Sequence, residues 1–177
     1  MGTTSPSATA SQTIGPYWHL IEDRSWADLT RFGAEGENIV LTGTVYDGDG
    51  KACPDACVEI WQTDPPASET FPGFGRSNAD ANGTYRLVTL KPGPVPGRGN
   101  AQQAPHIAIW VLSRGVMKGL ATRVYFRGDA LNDSDPLLQS IEDPARRATL
   151  VAAPEGAATW CFNIHLQGEN ETVFLDI

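Results

Sequence analysis

The sequence predicts a mainly β fold: an antiparallel β-sandwich of about seven to eight strands, with about two or three short helices and an N-terminal arm. Three observations predict it. Short runs rich in β-branched and aromatic residues recur with polar and apolar positions in near alternation, the period of a half-buried strand. Eighteen glycines and thirteen prolines among 177 residues cut these runs apart and supply turn chemistry. Long helical patterns are few.

Taken in order, residues 25–32 can form a short helix after the arm, and residues 39–46 alternate as a first long strand. Asp47-Gly48-Asp49-Gly50 turns the chain, because glycine accepts positive φ. Residues 57–63 return as a strand with Val58, Ile60 and the polar Gln62 on one face and Glu59 and Trp61 on the other. Asp80-Ala81-Asn82-Gly83 turns into a strand over 85–90, and strands follow at 106–112, 120–126, 159–166 and 172–175. Asp135 and Asp143 each precede a proline. This places an N-cap carboxylate before a preset first helical residue, so short helices are expected over 136–141 and 144–151. Residues 1–10 read as a flexible N-terminus and residues 11–177 as a single domain that includes the arm.

A net charge of -8 argues against nucleic acid, whose binding needs a basic surface to release counterions. Any anionic ligand must depend on particular arginines. No apolar run approaches the ~20 residues of a membrane span, and residues 1–10 lack the basic start and apolar stretch of a secretory signal. Cys53, Cys57 and Cys161 fit neither a C-x-x-C redox pair nor a zinc set, and read as structural thiols of a reducing cytoplasm. The chain has no G-x-S-x-G elbow, P-loop or G-x-G-x-x-G turn. The five tryptophans read as core and interface anchors.

The most informative segment is 83–110. Two strands flank a Pro/Gly-rich loop, and a strand sends residues i and i+2 to one face. Two histidines at that spacing could share a metal. Here the pair is His106-Ile107-Ala108, which supplies one imidazole and makes a weak metal site. Read from its residues, His106 is a hydrogen-bonded structural histidine. His165 is a packing or interface residue, and His19 has no assigned role.

This outline resembles the intradiol ring-cleaving dioxygenases, the non-haem ferric enzymes that open catechol-type rings. The resemblance runs from Ser11 to Ile177. It is carried by S-Q-T-I-G-P-Y at 11–17, V-Y-D-G-D-G at 45–50, E-I-W-Q at 59–62, A-P-H-I at 104–107, T-R-V-Y-F at 122–126 and Q-G-E-N-E-T-V-F at 167–174. Against the family's pattern, Val95 stands at the loop tyrosine, Gln103 at the arginine, His106 at the first histidine and Ala108 at the second. No tyrosine lies between Gln62 and Tyr85. The resemblance therefore implies a chain with no metal ligands and no catalytic residues of its own. It would be the non-iron α partner of an iron-bearing β subunit in a hetero-oligomer. Fe(3+) would be bound by that β subunit, and the assembly would use O2 to cleave protocatechuate to 3-carboxy-cis,cis-muconate.

The resemblance further implies that this chain lends substrate-binding residues at a shared interface: Thr13, Gly15, Pro16 and Tyr17 from the arm, and Arg114 from the turn after the 106–112 strand. The chemistry suits the task. Gly15 permits close backbone approach, Pro16 fixes the turn, and Thr13 and Tyr17 offer hydroxyls. An arginine binds a planar carboxylate with two parallel bonds. The plain alternative is an arm that only packs on the domain and an Arg114 that only sits in a turn. Arg123 is expected in a structural pair. Two other functions stand beside the first. One is a non-catalytic β-sandwich binding or scaffold module. The other is a stand-alone dioxygenase with displaced ligands such as Tyr85, Tyr125, His106 and His165.

Overall fold

The computed structural model describes residues 8–20 and 22–176, with only the backbone at His19. Most of the expected flexible N-terminus, residues 1–7, lies outside the described residues. The chain is mainly β. The described residues form eleven strands: β1 Asn38–Tyr46, β2 Cys57–Trp61, β3 Phe74–Asn78, β4 Thr84–Leu90, β5 Val95–Pro96, β6 Gln102–Gln103, β7 His106–Leu112, β8 Leu120–Phe126, β9 Val151–Pro154, β10 Thr159–Cys161 and β11 Ile164–His165. The helices α1 Pro136–Ser140 and α2 Pro144–Ala148 lie between β8 and β9, with short 3-10 turns at Trp18–Leu20, Arg24–Ala27 and Ala130–Asp133.

Nine strands form one nearly closed sheet in the order β11-β1-β10-β9-β8-β7-β2-β3, with β4 on β1, while β5 and β6 make a separate ribbon. The pairing is mixed, which departs from the antiparallel expectation. β1 runs parallel to β10 and β11, and β8 runs parallel to β9. Alternation of side chains encodes burial but not strand direction, so the parallel pairs left no trace in the hydropathy pattern.

The core follows from that alternation. β1 and β4 contribute Ile39, Leu41, Val45, Tyr85 and Leu87, and β2, β7 and β8 contribute Val58, Ile60, Ile107, Ile109, Val111 and Val124. A second cluster joins Ala104, Tyr125, Leu138 and Leu150 under α1. Gln62, expected on the Val58–Ile60 face, is indeed buried, and it donates to the Leu90 carbonyl at 2.9 Å and accepts from the Thr89 hydroxyl.

Several boundaries moved for physical reasons. The expected 159–166 strand breaks after Cys161, where the Asn163 side-chain oxygen takes the Thr44 N–H at 2.9 Å in place of a ladder carbonyl. Gly43 makes this crossing possible, because a Cβ there would lie 1.9 Å from the Phe162 carbonyl oxygen. α2 ends at Ala148, so residues 151–154 form a strand and not the end of a helix. Residues 172–175 make only an isolated bridge, Ala121 to Leu175. The 25–32 helix is a 3-10 turn capped by Asp23. Asp135 and Asp143 do cap α1 and α2, with proline following each.

Candidate functional site

The 95–108 segment shows what stands where the metal pattern is interrupted. Val95 pairs with Gln103 across the β5–β6 ribbon. On β7, Ile107, Ile109 and Val111 enter the core while His106 and Ala108 share the opposite row. Ala108 lies between Trp61 on β2 and Arg123 on β8, so a methyl group occupies the place where a second imidazole would stand. Arg123 Nη1 donates to Gln103 Oε1 at 2.7 Å, the structural pairing expected of it.

His106 Nδ1 lies 2.7 Å from the Ala104 carbonyl oxygen. A carbonyl only accepts, so the neutral ring carries its proton on Nδ1. Burial holds the imidazole pKa below its ordinary value, against a smaller opposing effect of that bond. The ring packs 5.5 Å from Tyr125, whose hydroxyl donates to Asp135 Oδ1 at 3.0 Å. Tyr85 donates to the Phe162 carbonyl at 2.7 Å. Burial raises the pKa of both phenols, and so favours phenol over tyrosinate. His165 stacks on Tyr46, 4.8 Å away.

Each of these groups is already engaged within the chain. His106 has Ala108 in its row, the neighbouring Tyr125 donates its hydroxyl to Asp135, and His165 and Tyr85 belong to other contacts. Among the described residues no three His, Cys, Asp or Glu side chains gather as metal ligands. Of the displaced-ligand set, His106 and Tyr125 are neighbours, whereas Tyr85 is bonded to the Phe162 carbonyl and His165 is stacked on Tyr46.

Of the arm residues, Thr13 meets the turn that carries Arg114. The Thr13 hydroxyl donates to the Ser113 carbonyl at 3.0 Å and accepts the Gly115 N–H at 2.9 Å. It thereby clips the arm to both neighbours of Arg114. Gly15 has φ +77° and nothing within 4 Å of where a Cβ would be. The glycine serves the turn, and its open side is available to another molecule. Pro16 is half-buried, and Tyr17 is 73% exposed.

Arg114 is not a free cation. Its Nε lies 2.9 Å from Asp55 Oδ2, and the Asp55 carbonyl accepts from Trp18 Nε1 at 3.3 Å. The Arg114 side chain is 61% exposed and that of Asp55 16%. Because the ion pair uses Nε, the edge formed by the two terminal nitrogens stays available for a planar carboxylate. Arg114 and Asp55 line a cleft of about 430 Å³ together with Asp47, Cys53 and Leu166. Burial, then the carboxylates of Asp47 and Asp55, raise the Cys53 thiol pKa. Sequence reasoning missed Asp55, Ser113 and Trp18. Asp55 stands in no motif of the sequence, and a backbone carbonyl such as that of Ser113 carries no sequence signal.

A family model described as Dioxygenase matches residues 23–168. The chain is 38% identical to the protocatechuate 3,4-dioxygenase alpha chain of Pseudomonas putida, over 95% of this chain and 96% of that one. It is 37% identical to the alpha chain of Burkholderia cepacia, over 98% and 100%, and 35% identical to the beta chain of Burkholderia cepacia, over 92% and 77%. In fold it is similar to the dioxygenase domain of a carbohydrate-binding fusion from Streptomyces sp. SirexAA-E. The TM-score there is 0.65 at 24% identity, with 92% of this chain and 99% of that one covered. With the family model matching most of the chain and two alpha chains 37–38% identical over nearly their whole length, the chain belongs to the intradiol ring-cleaving dioxygenase family.

Proposed function

We propose that this chain is the non-iron α subunit of a protocatechuate 3,4-dioxygenase and completes the active site of an iron-bearing β subunit. In this reading the assembly breaks the bond between the two hydroxylated carbons of protocatechuate. Each carbon receives one atom of O2, which gives 3-carboxy-cis,cis-muconate. Fe(3+) and its ligands belong to the β subunit. The compartment that suits free thiols and this partnership is the cytoplasm.

The observation that carries the reading is the Thr13 clip, which fixes the arm beside Arg114. Near-complete coverage of two alpha chains supports it, as does the poor fit of the local donor set to a ferric ion. Gly15 and Pro16 form the part of the wall that a flat ring can approach. Tyr17 projects its phenol outward. Arg114 directs its free edge toward the substrate carboxylate while Asp55 holds its Nε. Because Asp55 offsets much of the positive charge, Arg114 contributes direction more than bulk attraction.

Purification from the native source tests the reading. The expected product is a complex with a similar sister chain, carrying ferric iron and cleaving protocatechuate. Expressed alone, this chain should hold almost no iron and turn over nothing. Stoichiometric ferric iron in the isolated chain, or its purification without any sister chain, overturns the proposal.

A further inference from the structure

Protocatechuate and its cleavage product differ most in charge, and the cleft at Arg114 carries charges that act on that difference. Near neutral pH the substrate holds one carboxylate, and its phenolic hydroxyls keep their protons. When the bond between the hydroxylated carbons breaks, each of these carbons keeps its own oxygen and gains one from O2. Each thereby becomes a carboxyl group. Both ionise with release of two protons, so one negative charge becomes three.

Among the residues that line the cleft, Arg114 stands as one cation against the two anions Asp47 and Asp55. Asp55 Oδ2 already balances the guanidinium, 2.9 Å from Arg114 Nε. Asp47 is half-buried in the turn after β1, where its Oδ1 accepts the Asp49 and Lys51 N–H groups at 2.9 and 2.8 Å. The backbone thus fixes this second carboxylate in place. The Lys51 ammonium is exposed and paired with Asp49 at 3.2 Å. Cys53 lies in the same cleft, and after burial both aspartates contribute to raising its thiol pKa. The fields of Asp47 and Asp55 therefore meet inside the cleft, and the excess charge there is negative. A single carboxylate docked on the terminal nitrogens of Arg114 is held by direct contact. Further carboxylates on the same molecule cannot share that contact and meet repulsion.

We propose that Asp47 and Asp55 make this site selective by charge, so that it accepts a ring with one carboxylate and expels the tricarboxylate formed from it. Asp55 then has two tasks: it orients Arg114 for the substrate and, with Asp47, clears the pocket after each turnover. The inference rests on the proposed function, since it needs the substrate carboxylate at Arg114.

The test uses the assembly with an iron-bearing β subunit and two inhibitors of protocatechuate cleavage, the monoanion 4-hydroxybenzoate and the product 3-carboxy-cis,cis-muconate. In Asp47→Asn the amide oxygen can still accept both turn N–H groups, so a charge is removed while the turn is kept. Inhibition by the product should tighten by about three- to tenfold relative to inhibition by 4-hydroxybenzoate. Asp55→Asn should move this ratio in the same direction, whereas a merely structural loss at Arg114 would weaken both inhibitors together. Glu37→Gln removes an equal charge just before β1, roughly 30 Å along the strand from Asp47, and should leave the ratio unchanged. A constant ratio in both aspartate variants, or an equal shift in Glu37→Gln, overturns the proposal. Arg114→Ala separates that failure from failure of the underlying reading. Weaker 4-hydroxybenzoate inhibition in this variant, with a constant ratio in the aspartate variants, keeps the carboxylate at Arg114 and sinks only the charge selection. Unchanged 4-hydroxybenzoate inhibition removes the carboxylate from Arg114, and the proposal falls with that placement.

Discussion

Thr13 and Gly115 are joined by a 2.9 Å hydrogen bond in which the arm's hydroxyl accepts the turn's amide proton. The same oxygen donates to Ser113, so one side chain holds both flanks of Arg114. Thr13→Val keeps the shape and removes both bonds. Each is worth about 1 kcal/mol at a partly exposed site. Global stability should therefore change little, while hydrogen exchange at the Gly115 amide accelerates by roughly tenfold. An unchanged Gly115 exchange rate would show that the arm is held by other contacts.

Arg114→Ala tests substrate orientation. A charge-assisted bond to a carboxylate is worth roughly 1.5–3 kcal/mol in a dry site. The present exposure of Arg114 and its pairing with Asp55 place the effect toward the lower end. In the proposed assembly with an iron-bearing β subunit, kcat/KM for protocatechuate should fall about tenfold, while that for catechol, which lacks the carboxylate, changes little. Equal losses for both substrates would assign Arg114 a structural role.

How much of this was legible differs between elements. β1 was readable because Ile39, Leu41 and Val45 share one face while Asn38, Thr42 and Thr44 fall on the other, and the helix starts were readable because Asp135 and Asp143 stand before prolines. β3 was not, since F-G-R-S-N carries a single large apolar residue. Its strand character comes from outside itself. Arg76 Nε donates to Glu59 across the ladder at 2.7 Å, and Gly75 leaves room for Leu29. At the site, the resemblance named Thr13, Gly15, Pro16, Tyr17 and Arg114. Only three-dimensional packing could show that Asp55 holds Arg114 or that Ser113 and Gly115 hold Thr13, because these contacts join residues far apart in sequence.

Asp135 should be among the costliest polar residues to remove. Asp135→Ala leaves Ala104 N–H, Tyr125 OH and the first amides of α1 without their acceptor. Stranding buried donors costs about 1–3 kcal/mol each before relaxation and water entry, so a net loss of about 3–5 kcal/mol in urea unfolding is expected. Asp135→Asn keeps one accepting oxygen but sets an amide against Ala104 N–H, and should lose less. A loss below about 1 kcal/mol for the alanine variant would mean that this network does not organise the α1 side of the fold.

The three thiols should separate by reactivity. Burial, reinforced by Glu59, pushes Cys57 up to about 12, so almost no thiolate exists near neutral pH. Cys53 and Cys161 are partly exposed, although burial raises them too. Titration of the native chain with a thiol reagent at pH 8 should modify Cys53 and Cys161 slowly and leave Cys57 until urea unfolds the chain. Modification of Cys57 at the rate of the other two would place it on a segment that opens readily.

His106 gives the fold a pH dependence whose sign is fixed. Burial lowers its pKa in the folded state below the ordinary value of 6.5, with Arg123 adding to the effect and Ala104 and Asp135 opposing it. Below pH 6.5 the unfolded chain takes up a proton at this residue that the folded chain resists. The unfolded state then binds more protons, so the stability contributed by neutral His106 is fully present above pH 6.5. It declines as pH falls toward the lowered folded value, and once both states are protonated it falls no further. His106→Gln can still donate to the Ala104 carbonyl but does not titrate. Urea unfolding of the two proteins from pH 7.5 down to pH 5 should show the wild type losing stability relative to the variant only below about pH 6.5. A constant difference across that range would mean that His106 protonates equally easily in both states, and that the bond from Nδ1 to Ala104 compensates fully for its burial.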